Sequence, residues 1–129
     1  MTLLLDTHVF VWWLWGDQRI RPRVREMIEQ NRGETYVSAI SAYEMSQKYR
    51  LGKWPEGAPF MEGFERLAAA ANLSILNVTP LHAIRAGLIL GAHRDPFDRM
   101  MVAQAMVEGL RIVSSDRGLR MLGVEPVWA

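Results

Sequence analysis

Very short apolar runs alternate with helical stretches, and this alternation constrains the fold more than any other feature. Leu3–Leu5, Thr35–Val37, Leu73–Val78 and Leu110–Val113 have strand length and strand composition, and Val124–Val127 reads as a last strand. Between them run helical patterns. The first covers Val9–Trp15 and stops at Gly16. The second covers Pro22–Gln30, with Pro22 at a first helical position and Asn31 and Gly33 as stop signals. Further helices are expected over Ser41–Leu51, Phe60–Ala71, Pro80–Leu90 and from Asp95-Pro96 to Glu108, the last closed by Gly109. Short strands alternating with helices imply a parallel sheet covered on both faces. The chain has 129 residues, which suits one domain spanning 1–129. The expected class is therefore α/β, a three-layer α/β/α sandwich with a central, mainly parallel sheet of 4–5 strands.

In open α/β sheets the functional crevice lies beyond the carboxyl ends of the strands. Asp6 sits at that end of the first apolar run, in LLLDTHVF, and Asp116 follows Leu110–Val113 in the same way. If both strands lie near the sheet centre, the two carboxylates meet at one crevice. Cysteine is absent, which excludes a disulfide framework and thiolate metal sites and is compatible with a reducing cytoplasm. The N-terminal apolar run is broken by Asp6 and His8, too short to span a bilayer, and reads as neither signal peptide nor membrane anchor. The formal net charge is +1, so any nucleic-acid binding must come from a local basic patch.

Five acids stand out from their surroundings, and each has a structural reading beside the functional one. Asp6 suits an Asx turn between strand and helix. Glu44, in SAYE, matches a capping box opened by Ser41 and also stands one turn before Lys48. In HRDPFDRMMVAQAM, Asp95 is a helix N-cap before Pro96, and Asp98 is the third helical position, favoured by the helix dipole. Asp98 also heads an apolar stripe of Val102, Ala105, Met106 and Gly109, which aims it at the crevice. Asp116 suits the cap of a following turn. Taken together, the acids carry a cost. Two carboxylates about 4 Å apart repel by roughly 4 kcal/mol at an effective dielectric of ~20, against a typical domain stability of about 5–15 kcal/mol. Such a cluster calls for a cation, and all-oxygen ligands suit Mg²⁺ or Mn²⁺ rather than zinc. One or two such ions fit phosphoryl hydrolysis.

LLLDTHVFVWW, VSAISAYEMSQKYRLGK, HRDPFDRMMVAQA and IVSSDRGLR together resemble the PIN-domain nucleases, and within them the VapC-type toxins of bacterial toxin–antitoxin pairs. The resemblance spans essentially the whole chain. It implies a PIN-like fold and a cytoplasmic Mg²⁺- or Mn²⁺-dependent endoribonuclease, with Asp6, Glu44, Asp98 and Asp116 as catalytic residues and metal ligands. Asp95 is supporting, and Thr7 and Ser114 resemble the hydroxyl residues that orient the site, with serine at 114 where threonine is usual. The implied products carry 5′-phosphate and 3′-hydroxyl ends. The implied partners are RNA, a second copy in a homodimer, and a VapB-like antitoxin that places a basic residue against the acids. No membrane partner is expected.

Basic residues flank these motifs: Lys48, Arg50 and Lys53 near Glu44, and Arg94, Arg99 and Arg117 near the other acids. Lys48, Lys53, Arg99 and Arg117 are candidate RNA contacts, with plain solvation as the alternative. His8 and His93 lack a metal-ligand spacing partner and read as turn residues or supports for the acids, and His82 has no evident role. Phe10, Trp12, Trp13 and Trp15 cannot all face one core on a helix turning about 100° per residue. A protein interface is favoured over base stacking for the indoles left outside. Three other classes make different demands on the sequence. An Asp-nucleophile phosphohydrolase needs a second Asp where His8 stands. A receiver domain needs a Lys late in the chain, and none follows Lys53. A PIN-fold RNA-binding module without catalysis predicts no response to metal.

Overall fold

The computed structural model describes residues 1–93 and 95–128, so Arg94 lies outside the described residues. The strands are β1 (Leu3–Leu5), β2 (Thr35–Ser38), β3 (Ser74–Leu76) and β4 (Arg111–Val113). The helices are α1 (Thr7–Trp15), α2 (Pro22–Gln30), α3 (Ala39–Arg50), α4 (Ala58–Glu62), α5 (Phe64–Ala70), α6 (Pro80–Leu88) and α7 (Pro96–Glu108). Short 3₁₀ turns cover Pro55–Gly57 and Arg117–Leu122. All strand pairs are parallel, in the order β3-β2-β1-β4. Leu5 is level with Val37 on one side and Val113 on the other. That register brings the carboxyl ends of β1, β2 and β4 to one edge, where Asp6 and Ser114 begin the next segments.

The three leucines of β1 are fully buried because helices cover both faces of the sheet. Side chains alternate along a strand. Leu3 and Leu5 therefore pack with Val9, Phe10, Val37 and Met45, while Leu4 packs with Met101, Val102, Ala105 and Ile112 on the other face. This is the expected α/β/α arrangement. A buried polar link spans it: Ser38 Oγ donates to Gln104 Oε1 at 2.6 Å, tying β2 to α7.

Several local expectations are corrected. α1 begins at Thr7 rather than Val9, because Asp6 caps it by accepting from the Val9 N–H at 2.8 Å. α3 begins at Ala39, capped by Ser38, which removes the capping box assigned to Ser41 and Glu44. The Phe60–Ala71 helix is broken at Gly63 into α4 and α5. Val124–Val127 forms no strand among the described residues, only a single parallel bridge between Val127 and Val113. β4 is an edge strand rather than a central one. Met106 is exposed, so the apolar stripe of α7 is narrower than its spacing suggested.

Candidate active site

At the carboxyl edge of the sheet lies a cleft of about 400 Å³. Five carboxylates line it, from Asp6, Glu44, Asp95, Asp98 and Asp116. The ammonium of Lys48 faces them, and Thr7, His8, Trp12, Met101 and Ser115 complete the wall. Local structure explains how each acid arrives there. Asp6 and Asp116 cap the turns that leave β1 and β4, Asp116 by accepting from the Gly118 N–H at 2.8 Å. Asp95 caps α7, its Oδ1 accepting from the N–H groups of Phe97 and Asp98 at 2.9 and 3.3 Å. Asp98 is on the first turn of α7 and Glu44 is on the second turn of α3. Capping and cleft lining are thus done by the same carboxylates: one oxygen takes the backbone N–H while the group still borders the cleft.

Glu44 is buried and both its oxygens are engaged. Thr7 Oγ1 donates to Oε1 at 2.7 Å, and Lys48 Nζ donates to Oε2 at 2.7 Å. The single Thr7 hydroxyl proton is used in this way, so Ser41 must be the donor in its 2.8 Å bond to Thr7 Oγ1. Ser114 is fully buried. Its Oγ accepts from the Asp116 N–H at 3.0 Å and so holds the turn that carries the last acid.

Burial raises the Asp6 pKa above its ordinary value, reinforced by the Glu44 charge and opposed by Ser114, the Val9 N–H and His8. Asp98 is pushed up to about 6, first by burial and then by the charges of Asp95 and Asp116, against the hydrogen bond from His93. Both acids resist ionisation chiefly because they are buried.

Sequence spacing does not mark His93 as a ligand. Its Nε2 lies 2.6 Å from Asp98 Oδ2, and His93, Asp98 and Asp116 each offer a ligand atom within 4.8 Å of the others. The only available signal was its position just before the DPFD segment. Arg99 turns elsewhere: its guanidinium donates to the carbonyls of Ala86 at 3.2 Å, His93 at 3.1 Å and Ile89. It braces the segment that carries His93. Lys53 and Arg117 line two neighbouring clefts.

This fold, with acids gathered at the carboxyl edge of a four-stranded parallel sheet, has known counterparts. Residues 3–124 match the PIN domain family. The chain belongs to that family, and among its members it stands with the VapC-type proteins. It is 32% identical over 120 residues to Ribonuclease VapC22 of Mycobacterium tuberculosis, covering 92% of this chain and 90% of that protein. The DNA-bound VapBC structure from Salmonella typhimurium contains a chain with the same fold at a TM-score of 0.71 and 21% identity, covering 100% of this chain and 99% of that one. FitAB bound to an IR36 DNA fragment gives 0.68 at 22% identity, covering 99% and 96%.

Proposed function

We propose that this protein is a Mg²⁺- or Mn²⁺-dependent endoribonuclease and the toxin of a VapBC-type toxin–antitoxin pair. The observation that carries the reading is the cleft itself, where five carboxylates face one ammonium. The donor set fits a hard divalent cation: oxygen ligands from Asp6, Glu44, Asp98 and Asp116, with Asp95 beside them. His93 adds a nitrogen at the edge, which Mn²⁺ accepts more readily than Mg²⁺. When bound, the cation supplies activation of water at neutral pH and neutralises charge on the phosphodiester.

The chain's own residues do the rest. Thr7 and Lys48 fix the rotamer of Glu44 from opposite oxygens. Ser114 holds the Asp116 turn. Lys48 offers the cleft a positive charge for a phosphate oxygen. The family relationship to a protein named as a ribonuclease supports RNA as the substrate, and the VapBC and FitAB complexes support an antitoxin as partner. A homodimer and a cytoplasmic site of action complete the reading. Among the described residues no helix is long and apolar enough to cross a membrane.

The test is cleavage of total bacterial RNA with Mg²⁺, Mn²⁺ or EDTA, by wild type and Asp98→Asn. The expected result is metal-dependent cutting that leaves 5′-phosphate and 3′-hydroxyl ends and is lost in the variant. RNA binding without cleavage at any metal level would make the protein an RNA-binding module. Undiminished cutting by Asp98→Asn would remove that residue from the site.

A further inference from the structure

A second cleft, of about 430 Å³, opens directly beside the carboxylates. Its walls carry three indoles and three cations: Trp12, Trp15 and Trp54, with Arg19, Lys48 and Lys53. None of its lining residues is acidic, and it shares Thr7, His8, Trp12 and Lys48 with the carboxylate cleft. We propose that this cleft is a stacking subsite for an unpaired nucleotide of the RNA strand, next to the phosphate presented to the carboxylates. The proposal rests on reading the carboxylate cleft as the cleavage site.

The indoles are held in place before any ligand arrives. The buried ring of Phe60 packs against Trp15 at 5.6 Å, edge-on, and against Trp54 at 5.0 Å. Trp15 is nevertheless 50% exposed, an unusual state for the largest apolar side chain. Arg19 lies over Trp12 at 5.0 Å. Braced rings lose little conformational freedom on binding, so stacking there is inexpensive. The cations are placed by the turn that ends α3. Gly52, at φ +74°, lets the Lys53 N–H return to the Lys48 carbonyl at 2.9 Å, and both lysines border the cleft. Arg19 is paired with Asp17 and Lys48 with Glu44, whereas Lys53 makes no ion pair among the described residues.

Aromatic faces interleaved with cations are the recognition chemistry of single-stranded nucleic acid. A base inside a duplex has both faces covered and cannot stack on an indole. An apolar protein segment would bury the Lys53 ammonium without a partner, which is costly. The cleft that Arg117 lines is less suited. Its Arg120 is spent on Glu125, which also lines that cleft.

The experiment is an anisotropy titration of a fluorescein-labelled oligo(A) eight-mer in EDTA, where metal-dependent cutting is off. An unlabelled RNA duplex of equal length serves as competitor, and the titration is repeated across salt concentrations. Wild type should bind the eight-mer, and the duplex should compete poorly. Lys53→Gln, at an exposed site, should reduce the salt slope by about one. Trp15→Ala should weaken binding by about fivefold or more. Thermal midpoints check that Trp15→Ala is folded, and Lys53→Gln carries the test if it is not. No binding by wild type, equal competition by the duplex, or an unchanged affinity and salt slope in Lys53→Gln would overturn the proposal and leave this face to a protein partner. A Mn²⁺-induced rise in midpoint is recorded in parallel on the same proteins. Loss of that rise with eight-mer binding intact would strike the reading of the carboxylates and spare the cleft. The reverse would strike the cleft alone.

Discussion

Thr7 and Glu44 stand 37 residues apart in the chain and meet at 2.7 Å, hydroxyl to carboxylate, across the carboxyl ends of β1 and β2. The contact is buried, and it sets which way Glu44 faces. Thr7→Val keeps the shape and deletes the donor, leaving Glu44 Oε1 and the Ser41 hydroxyl unmatched. The expected cost is about 1–3 kcal/mol of stability and roughly tenfold in Mn²⁺ affinity, as for other supports of metal ligands. Calorimetric titration with Mn²⁺ measures the second effect, and Thr7→Ser should restore most of it. An unchanged Mn²⁺ affinity in Thr7→Val would show that Glu44 needs no such support.

Asp98 gives the metal-free protein a definite pH dependence. Its carboxyl is raised from 3.8 to about 6 by folding, so the native state binds the proton more tightly than the unfolded state does. This contribution to stability is present in full below pH 3.8 and is lost as pH rises to about 6, above which it is flat. Asp17 and Glu29, whose pKa values are lowered by Arg19 and Arg32, act in the opposite sense at lower pH. Comparing wild type with Asp98→Asn cancels them. Chemical denaturation in EDTA should show Asp98→Asn gaining on wild type, by on the order of 2 kcal/mol, between pH 4 and pH 6.5. A constant difference across that range would contradict the assignment.

Gly118 is required by Asp116. A Cβ at position 118 would stand 2.9 Å from Asp116 Oδ1, the oxygen that accepts the Gly118 N–H. Gly118→Ala should displace that carboxylate and weaken Mn²⁺ binding severalfold, with a stability loss of about 1 kcal/mol or less. Equal Mn²⁺ affinity in Gly118→Ala would mean that Asp116 is not held where the cation needs it.

His82 provides the contrasting case, a buried titratable group outside the site. Its Nδ1 accepts from the Thr79 N–H at 3.0 Å, so Nε2 carries the proton toward Glu108 at 2.8 Å. This closes the capping box of α6 and ties it to α7. His82→Leu should cost about 1–2 kcal/mol, seen as a drop of several degrees in midpoint. The Mn²⁺-induced rise should match that of wild type. Loss of that rise would show that α6 supports the site at a distance.

Some of this was legible in the sequence because it is local. The DPFD segment predicted both the Asp95 cap and the place of Asp98 on the first turn of α7, and LLLD predicted an acid at a strand end. Where a residue has two local partners to choose from, spacing alone misleads. Ser38 and Ser41 both precede Glu44 at plausible distances, and Ser38 takes the cap because Ser41 is drawn to Thr7 by a contact between two distant segments. Helical periodicity ran unbroken through Phe60–Ala71, yet Gly63, at φ −126° and ψ 26°, divides it. The bracing of Trp15 by Phe60 depends on how the chain returns on itself. No pattern within a single segment encodes that return.

Whether the acids form one cation site is decided by thermal unfolding of the partner-free protein with and without millimolar Mn²⁺, for wild type and Asp6→Asn. Binding to the native state alone raises the midpoint through linkage. A clear Mn²⁺-dependent rise is expected for wild type, weakened or lost in Asp6→Asn, whose metal-free form is at least as stable as wild type. No rise in either protein would show that the five carboxylates form no cation site.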